Sequence, residues 1–448
     1  MTDFSNTEAE EPLAQVDAAE LRRQRVEYAR SRKGTQSSPA LDAAFASPAA
    51  AEELYQRLRR EGAPLIEPAS DDEHRLVTLL HRAPADSTHV NVVGMLAHNG
   101  ERYAAPPAFA HPMRQIPGTD LWGLTVVARK DLRTTYRIFA WSSTHEPDFL
   151  TLMSDARPDP LNPNRFGGGE REPSRINPAN DSESIIELED APYADMGRTG
   201  AAAEPWNRHW FHSELMNNTR RIWSWQPNAA PAGMLILHDG WNWTQQTRIA
   251  AILAELMDRG DIPRLLVLAV EALRGLSATE LGCDDDFTDA VATEIIPWAR
   301  AHWSLPPGRV ILAGQSWGGL NVVYSALRRP EVAEGILSQS GSFWYSPDHD
   351  PDGYGKHGWL IEQLRDAAVV PTRFHLQVGS LEGDMVTVNR HLRDVLIAKG
   401  YEVSYAESND NHSWYSWQFT LIDGLRSLTR DWQPIALGHE INTNGTRS

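Results

Sequence analysis

The chain has 448 residues, with 42 Lys and Arg against 60 Asp and Glu, a formal net charge of −18 at pH 7. That acid excess excludes unspecific attraction to nucleic acid or an anionic membrane surface, both of which need a positive field. Hydrophobic residues at 41% and charged residues at 23% exclude wholesale disorder, and about 150 residues per domain predicts two or three domains.

The opening, MTDFSNTEAEEP, has neither a basic nor an apolar leader segment, and residues 1–20 hold six acids and no base. Residues 22–33 reverse this with six bases and one acid. Helical turns are expected around Leu21–Arg32 and Ala50–Glu61, with Pro39 and Pro48 breaking the segment. Residues 1–64 therefore read as a flexible N-terminal extension rather than a core element.

Between Arg75 and Trp141 the pattern turns to short β runs: Leu76–Leu80, Val90–Val93, Leu121–Val127 and Tyr136–Phe139. Turn clusters at Ala97–Gly100 and Ile116–Asp120 separate them, which predicts a small all-β, immunoglobulin-like sandwich over 65–155. A connector over 156–207 follows, Pro-, Asn- and Gly-rich in Arg157–Asn180 and acidic in Asp181–Asp190.

From Arg208 strands and helices alternate. Strands are expected at Arg220–Trp225, Met234–Leu237, Leu265–Val270, Val310–Ala313, Gly335–Ser338, Phe374–Val378 and Glu402–Ala406. Helices are expected at Ile249–Leu256, Phe287–His302, Leu320–Leu327 and Val386–Lys399. This alternation predicts an α/β-hydrolase core over 208–435 with a mostly parallel sheet, then a short tail over 436–448. No apolar run approaches the ~20 residues of a membrane helix, and the single Cys283 allows neither an internal disulfide nor a thiolate cluster. The expectation is a soluble, cytoplasmic protein.

The chemistry concentrates in Gly314-Gln315-Ser316-Trp317-Gly318. As bare text Gly-x-Ser-x-Gly is a weak signal, but here an apolar strand leads into it and an amphipathic helix leaves it. Ser316 is the expected nucleophile, and the Trp317 amide at the helix start an oxyanion donor. A serine needs a base, which in this fold order follows the last strand: His412, in Asn409–Trp414. The orienting acid should follow Phe374–Val378, where Glu382 and Asp384 both qualify. A second oxyanion donor should come from the turn after Met234–Leu237, the amide of Gly240 or Trp241. Asp348–Gly353 imitates the start of a calcium loop, but Trp359 stands where a bidentate Glu belongs, so no metal site is expected.

In this order the motifs resemble the enterochelin (enterobactin) esterase family, cytoplasmic enzymes that open the trilactone of ferric catecholate siderophores. The resemblance rests on Ile116–Trp122, Asp159–Pro163, Glu280–Cys283 with Phe287, Gly314–Leu320 and Leu337–Trp344. It implies Glu382 as the acid, a small catecholate siderophore as the partner, and no cofactor beyond Fe(III) carried by the substrate. Glu280 and Arg274 are implied on the substrate side, and the family's Arg three positions before its Glu-Leu pair is Ser277 here. Of the 16 Trp, 14 lie at or after Trp206. Trp243, Trp344 and Trp414 sit beside the motifs, where they could stack on catechol rings or simply pack in the core. Two other readings remain open on the residues: a carbohydrate-linked acyl or feruloyl esterase with a glycan-binding N-terminal module, and a non-catalytic siderophore binder.

Overall fold

A computed structural model describes residues 37–94, 110–142, 151, 155–167, 182–198, 206–227, 230–273, 280–305, 307–347 and 358–432. Helices α1 (Pro39–Ala46) and α2 (Pro48–Glu61) open the described chain. Nine strands follow: β1 (Leu65–Pro68), β2 (His74–Arg82), β3 (His89–Val93), β4 (Ala110–Pro112), β5 (Arg114–Gln115), β6 (Leu121–Arg129), β7 (Arg133–Trp141), β8 (Arg165–Phe166) and β9 (Glu183–Glu187). They form two antiparallel sheets, ordered β1-β2-β6-β5 and β4-β3-β7-β9-β8.

β2 shows why the helices belong here. Val77 and Leu79 point into a core shared with Val90, Val92, Tyr136, Ile138 and Ile186 of the other sheet. Leu80, of opposite parity, packs instead with Leu41, Leu54 and Leu58 of α1 and α2. A strand buried on both faces reads as a continuous apolar run, and this one is covered by helices on its second side. Gly123 on β6 makes room for α1, since a Cβ there would lie 2.4 Å from Leu41 Cδ1 and push that side chain aside.

Two expectations are corrected. Residues 39–61 are not part of a flexible extension: Pro39 and Pro48 each occupy the start of a helix, behind the caps Ser38 and Ser47, where a missing N–H costs nothing. Nor is the acidic stretch wholly connector, because Glu183–Glu187 is β9, paired with β7 and β8. Ile186 faces the sandwich core, while Ile185 before it packs against the core of the α/β unit. The expected helix at Leu21–Arg32 lies outside the described residues.

The second unit holds an eight-stranded sheet of β10 (Asn207–Ser213), β11 (Asn218–Trp225), β12 (Gly233–His238), β13 (Leu265–Val270), β14 (Val310–Gln315), β15 (Gly335–Gln339), β16 (Arg373–Gly379) and β17 (Val403–Ser408), ordered β10-β11-β13-β12-β14-β15-β16-β17. β10 and β11 pair antiparallel; from β13 to β17 every pairing is parallel. Its helices are α3 (Gly240–Gln245), α4 (Ile249–Arg259), α5 (Asp285–Ala290), α6 (Ile296–Trp303), α7 (Trp317–Arg328), α8 (Trp359–Asp366), α9 (Asp384–Ala398) and α10 (Trp414–Thr429). Central strands alternate strictly: Ile236 and Leu312 enter one core with α7 and α9, Leu235 and Ile311 the other with α4 and α10. A π turn, Val291–Ile295, splits the single helix expected over Phe287–His302. Pro297 lacks an N–H and would crowd the carbonyl four residues back, and the wider turn absorbs this.

Candidate active site

Ser316 stands between β14 and α7 at φ 53 and ψ −115, a backbone region an L-residue occupies only when its surroundings force it. The force comes from close packing. A Cβ at Gly314 would lie 2.3 Å from the Gly318 carbonyl, and one at Gly319 2.7 Å from Ser338 Oγ. Ser316 N donates to Gln339 O at 2.9 Å, Ser342 N donates to Ser316 O at 3.0 Å, and the two hydroxyls lie 3.3 Å apart. Trp317 is the first residue of α7, so its N–H has no acceptor within the helix.

His412 sits in the loop between β17 and α10, with Nδ1 2.6 Å from Glu382 Oε2. The Glu382 side chain is fully buried and that of His412 is 21% exposed, so one ring edge stays reachable while the carboxylate does not. The other Glu382 oxygen accepts from Gly379 N at 2.8 Å and Ser340 Oγ at 2.6 Å. Trp417 Nε1 donates in turn to Ser340 Oγ at 3.0 Å, and its ring stands edge-on to His412 at 4.7 Å. The segment Gln339–Ser342 thus touches both ends of the constellation: its backbone holds Ser316, and Ser340 holds Glu382. Asp384, the other sequence candidate, opens α9, where a carboxylate favours the helix dipole.

The turn after β12 is also strained. Asp239 adopts φ 59 and ψ 48, and a Cβ on Gly240 would fall 2.5 Å from the Ala269 carbonyl. Trp241 follows, partly buried. The Asp239 carboxylate abuts the first turn of α7, 3.5 Å from where a Gly318 Cβ would lie. Burial, and then the charge of Glu280, push its carboxyl up to about 7. Trp344 and Tyr345 each meet Trp317 edge-on at 5.2 Å, making an aromatic wall next to Ser316.

Two expected substrate contacts are corrected. Trp243 is wholly buried, packed edge-on against Trp414, so it presents no face to a ligand. Glu280 is 1% exposed and spends its carboxylate on Arg220, Nη2 to Oε1 at 2.9 Å, and on Leu273 N at 2.7 Å. Leaving either partner alone in that interior would be costly, so the pair reads as structural. Trp414 is partly buried between Trp243 and Trp417. Arg274, Ser277 and the Asp348–Gly353 loop lie outside the described residues. Among the described residues no cluster of His, Cys, Asp or Glu could hold a metal ion, and no helix is long and apolar enough to cross a membrane. Sequence reasoning missed Ser340 and Trp417; only the spacing of Ser340 in Ser338-Gln339-Ser340-Gly341-Ser342 offered a hint.

Residues 213–428 match the family model of putative esterases, and residues 76–196 match that of the enterochelin esterase N-terminal domain. The iron(III) enterobactin esterase of Escherichia coli O6:H1 is 30% identical over 344 residues, 72% of this chain and 82% of its own. The chain belongs to the enterobactin esterase family. That of Dickeya dadantii is 27% identical over 431 residues, covering 88% of this chain and 97% of its own. The crystal structure of the Shigella flexneri enterobactin esterase in the presence of enterobactin superposes with a TM-score of 0.69 at 25% identity, covering 85% of this chain and 99% of that one. The N-terminal family match runs to residue 196 and so takes in β8 and β9, in agreement with the corrected extent of the sheets.

Proposed function

We propose that this chain is a cytoplasmic serine esterase that hydrolyses the trilactone of a ferric catecholate siderophore such as enterobactin. In this reading residues 208–435 are an α/β-hydrolase core and the two antiparallel sheets before it an immunoglobulin-like sandwich. The strand order β10-β11-β13-β12-β14-β15-β16-β17 supports this, since β12 lies between β13 and β14, as in that fold. Ser316 is the nucleophile, His412 the base and Glu382 the acid. The observation that carries the reading is the 2.6 Å pairing of His412 with a fully buried Glu382, together with the strained Gly-x-Ser-x-Gly turn that supplies Ser316.

The mechanism follows from the residues. His412 takes the Ser316 proton as Oγ attacks a lactone carbonyl, and Glu382 holds the imidazole tautomer and stabilises the imidazolium. The amides of Trp317 and of Gly240 or Trp241 receive the oxyanion. Collapse expels the serine alkoxide of the substrate, which takes its proton from His412 and leaves an acyl-enzyme. Water activated by His412 then releases a linear product. Trp344 and Trp317 offer edges and faces to the catechol rings. Iron travels with the substrate, and the reaction calls for no cofactor.

Chromatography of products from ferric and iron-free enterobactin, with wild type beside Ser316→Ala, tests this. Linear trimer, dimer or monomer formed by wild type alone is the expected result. Cleavage of a simple aryl ester without either siderophore would retain the hydrolase and discard the substrate, and silence on all three would leave a binding protein.

A further inference from the structure

The loops that carry Glu382 and His412 both reach out of their own sheet and end in the N-terminal module. Leu381, directly before the acid, is 9% exposed and packs in the sandwich core with Val77, Tyr136 and Ile186. Its N–H donates to Asp410 O at 3.2 Å, which joins the acid loop to the base loop. That base loop is then paired with the start of β7: Arg133 bridges Asp410 in parallel register, with Arg133 N donating to Asn409 O at 3.0 Å. Asn411, the neighbour of His412, donates through Nδ2 to Thr135 O and Oγ1, each at 3.3 Å, and Asn409 Nδ2 donates to Asp131 Oδ1 at 2.7 Å.

β7 is itself fixed at this point. The Arg133 side chain, 3% exposed, donates from Nε to Glu187 Oε2 at 2.8 Å and from Nη2 to Pro192 O at 2.6 Å. Its guanidinium covers the Phe419 ring at 3.8 Å, and Tyr415 OH donates to the same Glu187 oxygen at 2.8 Å. Phe419 and Tyr415 belong to α10, the helix that begins two residues after His412.

We propose that the N-terminal module positions the catalytic pair: β7 sets the His412 loop, the Leu381 side chain pegs the Glu382 loop, and Asn411 and Leu381 are positioning residues for this reaction. The proposal rests on the assignment of Ser316, Glu382 and His412 above. It gives the module a role in every turnover, independent of whatever substrate the module touches. A hydrogen bond between a carboxylate and an imidazole is sensitive to displacement, and a misplacement of about 1 Å at such a centre costs on the order of 100-fold in rate.

The test uses the full chain and a probe that needs only an activated serine: the second-order rate of Ser316 modification by a small fluorophosphonate, across pH, beside the unfolding midpoint. Leu381→Ala and Asn411→Ala are expected to react about 10- to 100-fold more slowly per folded molecule. Leu381→Met should restore the wild-type rate. In a Glu382→Gln background, Leu381→Ala should cost under about threefold more, since both changes strike one interaction. Rates within about twofold of wild type at every pH, or losses that add in full to those of Glu382→Gln, would overturn the proposal. A wild-type enzyme that does not react would instead refute the serine assignment.

Discussion

Glu382 is held by three donors, and each makes a different demand. Glu382→Gln keeps the shape but sets an amide N–H either against His412 Nδ1 or against the Gly379 N–H, so kcat on enterobactin should fall about 10²- to 10⁴-fold. Asp384→Asn, at the head of α9, should stay within about threefold, since an N-terminal carboxylate contributes only ~0.3–1 kcal/mol there. Measuring both in steady state decides between the two carboxylates that Glu382-Gly383-Asp384 left open. No periodicity separates them, because the choice depends on a turn that aims one inward. Asp410 yields a second prediction at this scale. Burial and then the charge of Glu382 push its carboxyl up to about 8, with Ser408 and Arg133 opposing and Asp131 adding. An unfolded Asp titrates near ~3.9. Between those values the folded chain holds a proton that the unfolded chain has lost, so stability falls as pH rises from about 4 to about 8. Asp410→Asn should therefore unfold at higher urea than wild type at pH 8 and at the same urea near pH 4.

At the scale of elements, the Ser316 turn depends on side chains that are missing. Gly314→Ala would drive a methyl into the Gly318 carbonyl, and at 2.3 Å neither backbone can yield without moving Ser316. A loss of at least about 1–3 kcal/mol in denaturant unfolding, with activity falling further, is expected. This turn was legible because strand, glycines and helix follow one another directly. The parallel strands were legible too: Leu265–Val270 is an apolar run that alternates between two buried cores. Elements whose signal lies outside themselves were not. The helical turns expected around Ala50–Glu61 did form, but Pro39 and Pro48 read as breaks until the caps Ser38 and Ser47 showed them to be starts. β9 read as acidic linker because only Ile186 of its residues enters the sandwich core. Glu280 and Trp243 lay beside the right motifs, yet adjacency along the chain does not tell a ligand contact from a buried partner of Arg220 or of Trp414.

The whole molecule brings two sheets' worth of β structure against an α/β unit, and the seam runs through one buried arginine. Arg133→Ala should cost about 3 kcal/mol in unfolding free energy, the low end for breaking a buried pair, since Arg198 and Tyr415 still donate to Glu187. Charge acts at the same scale. Fe(III) with three catecholates carries a charge of about −3, and the enzyme a formal −18. Approach of the ferric substrate should therefore speed up as salt screens the repulsion, raising kcat/KM between low and moderate ionic strength, while the neutral iron-free trilactone should respond little. Mass spectrometry of enzyme quenched during turnover of enterobactin tests whether Ser316 opens the trilactone by forming a covalent ester. One peptide, that of Ser316, should carry the mass of the opened trilactone. Turnover with Ser316 unmodified, or turnover retained by Ser316→Ala, would contradict it.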